Sequence, residues 1–197
     1  MIEKGLLIVV SAPAGCGKDT ILESVFKSFG NLRYSVSATT RQKREGEKEG
    51  VHYFFKSREE FELLIKNKEL LEYTEYAGNY YGTPKSFIPQ MLSEGKNVVM
   101  KIEVEGAGNI KKLFPDCVLV FILPPSFDEL ERRLKKRGSE DGETIKKRIA
   151  IAKIEMSFVK NYDYVIINDK IENAAGDFSA IIRAEKLAIR RGLPVID

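Results

Sequence analysis

The run Leu6–Val10 (LLIVV) is apolar at every position and leads directly into SAPAGCGKDT, Ser11–Thr20. A strand without a polar face is buried on both sides, which is the environment of an inner strand in a parallel sheet. An amphipathic segment follows from about Asp19 to Lys27. Strand, glycine-bearing loop and helix in that order leave few folds open, because parallel strands need crossover connections and helices supply them. The loop approaches the pattern G-x-x-x-x-G-K-[ST]. Gly17 and Lys18 fit it, Ala12 stands at the first glycine, and Asp19 stands where a hydroxyl residue is usual.

The chemistry of such a loop is physical rather than lexical. Consecutive backbone N–H groups line one concavity, and the helix N-terminus behind them adds positive potential. Gly15 and Gly17 permit the backbone angles. Lys18 reaches the β- and γ-phosphates as a mobile charge. Ala14, Gly15, Cys16, Gly17, Lys18, Asp19 and Thr20 are therefore the candidate phosphate-binding residues. The hydroxyl that normally ligates Mg2+ is displaced by one position, so Asp19 or Thr20, acting through water, is the candidate cation ligand. The plain alternative is a strand-to-helix turn that binds nothing. Its place after the first strand of an α/β pattern favours nucleotide binding.

Further along, Leu32–Ser37, Asn97–Val104, Val118–Leu123 and Tyr164–Ile167 read as strands, alternating with helical segments. With the first run they predict a parallel sheet of about five strands with helices on both faces. Ser57 with Glu60, and Ser126 with Glu129, have capping-box spacing and predict two helix starts. The polar stretch ATTRQKREGEKEG lacks an apolar anchor and reads as a surface loop, followed by a short strand at Val51–Phe55. LLEYTEYAGNYYGT alternates around Gly78-Asn79 and predicts a hairpin. Residues 36–84 thus form a small, mostly antiparallel insert, and residues 1–35 with 85–197 form the core, carrying a lid at about 135–148.

Composition removes several classes. Of the 197 residues, 43% are hydrophobic and 31% charged, which is the balance of a folded globular chain. The net charge of +3 is too small to argue for nucleic acid. Cys16 and Cys117 have no metal-ligand spacing and fit a reducing, cytoplasmic setting. The apolar opening run is too short for a membrane span. Whether the chain is monomeric or a homo-oligomer is not written in these features.

Two basic clusters remain. Arg41 and Arg44, with Tyr53 after them, could hold a phosphate monoester through bidentate guanidinium contacts. Arg133 and Arg137 are four apart on one predicted helix face, and Arg148 lies on the next helix beyond the polar turn GSEDGE. Folded as a flap, that turn would bring the three arginines onto phosphates and exclude water. Taken alone, each cluster reads more readily as solvated surface.

In order and spacing, these pieces resemble the guanylate kinase family, whose members move a phosphate from ATP to GMP. The stretch SVSATTRQKREGEKEGVHYFF is similar to the family's acceptor signature, LLEYTEYAGNYYGTP to its second acceptor element, LPPSFDELERRLKKRG to its lid region, and VIIND to its last strand. The resemblance runs nearly end to end. It implies a P-loop kinase acting on GMP and dGMP with ATP and Mg2+, by in-line transfer with lid closure. It assigns Ser37, Glu72, Thr83 and Glu103 to the GMP pocket, Arg41, Arg44, Tyr53 and Tyr81 to the GMP phosphate, and Arg133, Arg137 and Arg148 to the ATP phosphates. Asn168 would lie near the adenine. Lys18, Arg41, Arg137 and Arg148 would carry the transfer. The guanine assignment has its own chemical sense, since a carboxylate accepts from both N1–H and N2–H while a hydroxyl donates to O6.

The chain departs from the family where D-I-D-x-Q-G is replaced by Lys101-Ile102-Glu103-Val104-Glu105-Gly106. Glu103 keeps a carboxylate and, with Asp19 or Thr20, is a candidate for Mg2+ through water. Lys101 reverses a charge. Two other functions fit the same fold: a P-loop kinase for another phosphorylated acceptor such as a ribose phosphate, or a non-catalytic binding module. Glu72, Ser37 and Thr83 count against the first, because a ribose phosphate needs no guanine reader. Lys18 and the lid arginines count against the second.

Overall fold

The computed structural model describes residues 4–76, 78–136 and 142–191. A five-stranded sheet runs in the order β2 (Leu32–Tyr34), β7 (Asn97–Lys101), β1 (Leu7–Ser11), β8 (Val118–Leu123) and β9 (Tyr164–Ile167). Pairs β2–β7 and β8–β9 are parallel. All of β1 is buried, as its unbroken apolar run requires. The remaining strands, β3 (Ala38–Thr39), β4 (Phe54–Phe55), β5 (Leu70–Tyr76) and β6 (Asn79–Pro84), form a second sheet in the order β4–β3–β6–β5. The helices are α1 (Lys18–Ser28), α2 (Arg58–Lys66), α3 (Phe87–Ser93), α4 (Val104–Leu113), α5 (Phe127–Lys136), α6 (Gly142–Met156) and α7 (Ile171–Leu187).

The chain packs as two compact units, residues 1–9 with 31–117, and residues 10–30 with 118–197. In the first, α2 begins at the expected capping box. The Ser57 hydroxyl accepts from the Glu60 N–H (3.1 Å) and Glu60 accepts in return from the Ser57 N–H (2.7 Å). Phe61 of α2 is fully buried with Ala38 and Leu70, against Phe54, Leu64, Ile65 and Tyr80. The expected β5–β6 hairpin forms and turns at Gly78 (φ 76°), but Asn79 is already the first residue of β6, paired with Tyr76, rather than part of the turn.

Three expected strands are shorter than their apolar runs. Of the Leu32–Ser37 run only Leu32–Tyr34 forms a strand, β2, and β3 begins beyond its end, at Ala38, in the other sheet. The Val51–Phe55 run contributes only Phe54 and Phe55, because the N–H groups of Val51 and His52 close a turn on the Lys48 carbonyl. It also pairs with β3 in parallel, so the small sheet is mixed rather than purely antiparallel. Strand β7 ends at Lys101 rather than Val104, because Glu103 takes the N-cap position of α4.

In the second unit, α1 and α7 pack together, with Ile21, Leu22 and Val25 of α1 and Ala174, Phe178 and Ile182 of α7 buried. Ser126 caps α5 by accepting from the Glu129 N–H (3.1 Å), but the Glu129 carboxylate turns to Arg132 and Arg133 instead of completing the box. The buried Glu185 near the end of α7 accepts from the Tyr164 hydroxyl (2.6 Å) and pairs with Arg190 and Arg191. No helix among the described residues is long and apolar enough to cross a membrane.

Candidate active site

The first unit contains a cavity of about 290 Å³ lined by Ser37, Tyr53, Glu72, Tyr81, Lys101, Glu103 and Gly106, among others. Hairpin register builds its floor. Glu72 of β5 lies opposite Thr83 of β6, and the Thr83 hydroxyl donates to Glu72 Oε1 at 2.7 Å. Thr83 is buried. Burial pushes the Glu72 carboxyl above its ordinary range, and the Thr83 hydroxyl only partly offsets this. The first turn of α4 approaches the same carboxylate. A Cβ on Gly106 would stand 2.5 Å from Ile102 Cδ1 and 3.4 Å from Glu72 Oε2. A side chain at Gly106 would press on Ile102, while at 3.4 Å it would only touch the Glu72 carboxylate.

The arginine loop gathers around a residue that the sequence reading passed over. Arg41 Nη2 donates to Glu47 Oε1 at 2.6 Å, and the other oxygen, Oε2, accepts from the backbone N–H of Arg44 at 2.7 Å. This pairing holds Glu47 down to about 2. The Arg41 guanidinium also lies over the Tyr53 ring, 5.4 Å from its centroid, and Tyr53 meets Tyr81 edge-on at 6.1 Å. Arg41, Tyr53 and Tyr81 therefore form one cluster, and Glu47 ties Arg44 to it. The available signal was Gly46, alone inside a charged run. Its positive φ of 82° marks the turn that returns Glu47 to the Arg44 carbonyl and amide. Lys101 lines the cavity with its ammonium 5.4 Å from the Tyr34 ring centroid. Glu103 reaches the cavity from the α4 N-cap.

The second unit carries the glycine-rich loop. Gly15 (φ 89°) and Gly17 (φ 80°) both adopt the left-handed conformation that the pattern requires. The Cys16 N–H closes a turn on the Pro13 carbonyl (3.2 Å), and Gly17 is the N-cap of α1. Lys18 opens that helix, and Asp19 and Thr20 follow, exposed, in its first turn. Ala14 is exposed as well, whereas Cys16 is fully buried. Burial pushes the Cys16 thiol up to about 12, so it is a packed, neutral group. Leu130 and Leu134 of α5 lie under the loop, within 3.0 Å of where a Gly15 Cβ would stand.

Asn168, at the end of β9, is buried and donates through Nδ2 to the Cys16 carbonyl at 2.7 Å. Its own carbonyl accepts from Arg133 Nη2 (2.9 Å), and Arg133 Nε is held by Glu129 (2.7 Å). The structure thus brings Asn168 and Arg133 to the loop. Arg148 sits half-buried on α6, which packs against α5. Arg137 and residues 138–141 of the expected turn lie outside the described residues, whereas Gly142 and Glu143, also expected in that turn, begin α6.

The guanylate kinase family matches residues 4–185. The guanylate kinase of Desulfitobacterium hafniense is 46% identical over 187 residues, covering 95% of this chain and 94% of that protein. That of Halalkalibacterium halodurans is 50% identical over 183 residues, covering 93% and 90%. Among solved structures, a guanylate kinase from Anaplasma phagocytophilum superposes with a TM-score of 0.77 at 36% identity, over 96% of this chain and 90% of that one. An α/β sheet entered through a glycine-rich loop, a buried Glu–Thr pair in a cavity and end-to-end likeness to these proteins have one explanation: the chain belongs to the guanylate kinase family.

Proposed function

We propose that the chain phosphorylates GMP and dGMP at the expense of ATP. The observation that carries this reading is the buried Glu72 carboxyl, held beside Thr83 in the cavity of the first unit. Guanine N1–H and N2–H donate to the Glu72 carboxylate, Ser37 donates to O6, and Thr83 fixes the carboxylate's direction. Adenine presents the opposite pattern and leaves the buried carboxyl unmatched. Arg41, Arg44, Tyr53 and Tyr81 hold the GMP phosphate, within a subdomain formed by residues 36–84.

The loop amides and Lys18 hold the ATP β- and γ-phosphates, and Arg133, Arg137 and Arg148 spread positive charge over the transferred group. In-line transfer then needs little covalent help from the protein, only alignment, charge and exclusion of water. The residues fit Mg2+ held largely by phosphates and water. The exposed Asp19 and Thr20 lie in the first turn of α1, Glu103 is a further candidate, and the described residues contain no group of three or more His, Cys, Asp or Glu that could hold a metal ion. When bound, Mg2+ neutralises phosphate oxygens. The two free, buried cysteines fit the reducing cytoplasm.

A coupled ATP-consumption assay across GMP, dGMP, AMP, CMP and UMP tests the reading. Turnover with GMP and dGMP alone supports it. Equal rates with AMP, or none with any nucleotide, overturn it in favour of another acceptor or a binding module.

Because Glu72 must be ionised to read guanine, GMP affinity is expected to fall as the pH drops through its raised value. That fall comes above the roughly 4.3 of an ordinary glutamate. Glu72→Gln should remove this pH dependence and weaken GMP by about 1–3 kcal/mol, leaving ATP affinity unchanged. Titration of both nucleotides against both forms over pH checks it. A mutant with parental GMP affinity would mean that Glu72 does not touch the base.

Asp19 adds negative charge beside the phosphates, so transfer should depend strictly on a divalent cation. Asp19→Ser restores a hydroxyl and should keep activity at a lower Mg2+ requirement. A Mg2+ titration of both proteins reads the difference, and loss of activity in Asp19→Ser would show the carboxylate to be indispensable.

A further inference from the structure

Glycine on both sides of Cys16 creates a problem for the loop. Gly15 and Gly17 are both left-handed, at φ 89° and 80°, and glycine tolerates either sign of φ. The peptide between Cys16 and Gly17 can therefore turn over at little steric cost. In one orientation the Gly17 N–H faces the concavity. In the other the Cys16 carbonyl does, and its negative end repels an anion. Local sterics do not choose between them.

Asn168 does. Its Nδ2 donates to the Cys16 carbonyl at 2.7 Å. In a trans peptide the carbonyl and the N–H point in opposite directions. Holding the carbonyl on the Asn168 side turns the Gly17 N–H away from it. Asn168 is itself fixed on every side. It is 4% exposed, its N–H donates to the Leu123 carbonyl at 2.8 Å, and its carbonyl accepts from Arg133 Nη2 at 2.9 Å. The fit is close: a Cβ on Gly17 would stand 2.4 Å from Asn168 Nδ2.

We infer that Asn168 is a positioning residue of the phosphate loop. Its side-chain amide fixes the Cys16–Gly17 peptide with the N–H toward the phosphates, and it acts on the polyphosphate rather than on the base. The same residue joins Arg133 to the loop, since the guanidinium that rests on its carbonyl is anchored by Glu129. This rests on the reading of the loop as the ATP site, and it replaces a role beside the adenine with a role independent of the base.

The test uses a ligand with no base. Wild type, N168A and N168L are titrated calorimetrically with ATP, inorganic tripolyphosphate and GMP. N168L keeps the branched shape of asparagine at a buried position and removes only the polar groups, so the comparison survives if N168A does not fold. The inference expects ATP and tripolyphosphate to weaken by the same factor, about tenfold, as for one buried hydrogen bond. GMP affinity and the KM for GMP should stay at the parental values, while the KM for ATP rises. Loss of ATP affinity with tripolyphosphate unchanged would assign Asn168 to the base and overturn the inference. Unchanged affinity for both would overturn it as well. Asparagine-dependent tripolyphosphate binding in a protein that transfers nothing to GMP would leave the inference standing and remove the kinase reading.

Discussion

Lys18→Ala is expected to fold as the parent does and to lose roughly 10²–10³ in turnover, the scale of removing one charge-directed contact from a transition state. Lys18 opens α1 directly after the left-handed Gly17 cap, and alanine is at least as good a helix former there. The helix should therefore persist while the mobile charge disappears. Thermal unfolding and steady-state kinetics on the same preparation separate the two effects. A folded mutant with near-parental turnover would show that the loop does not carry the transfer.

Phe61→Ala should produce the largest loss of stability, about 3–5 kcal/mol for an emptied aromatic site. Phe61 is fully buried, and it stacks on Tyr80 with centroids 5.3 Å apart and planes 18° from parallel. It also touches the hairpin from below, where a Cβ on Gly82 would stand 3.0 Å from its Cζ. Glu72 and Thr83 both ride on that hairpin. The loss is large against a typical domain stability of about 5–15 kcal/mol. GMP affinity should fall with it, and Phe61→Leu should retain more of both. Urea unfolding measures the change, and a loss under about 1 kcal/mol would mean that the small sheet is held elsewhere.

The sequence announced features governed by short-range rules. The apolar run of β1, the capping box of α2 and the Gly-Asn hairpin each rest on a local physical preference, and each forms where expected. What it hid depends on chain return. Glu47 is one of three glutamates in REGEKEG, and spacing does not distinguish it from Glu45 or Glu49. Only the turn at Gly46 does so, by sending Glu47 back to Arg41 and Arg44. The contact of Asn168 is not legible in the sequence, because its partner, Cys16, lies 152 positions earlier. The ends of β4 and β7 were misplaced because a turn and a helix cap outcompeted apolar character there.

On the role proposed for Arg41, holding the GMP phosphate, its pairing with Glu47 sets the terms on which that phosphate is received. A guanidinium left to wander would forfeit rotamer freedom on capture, a charge of up to about 2 kcal/mol for a long side chain. Here Arg41 is already immobilised by Glu47, by the Gln42 carbonyl and by the face of Tyr53. Two of its five N–H groups are used in these bonds, which leaves three as donors on a guanidinium already held in place. An incoming dianion meets a socket that is partly neutralised, so generic polyanions gain less from it than they would from a bare arginine pair. Association should consequently discriminate by shape more than by charge and vary only gently with ionic strength.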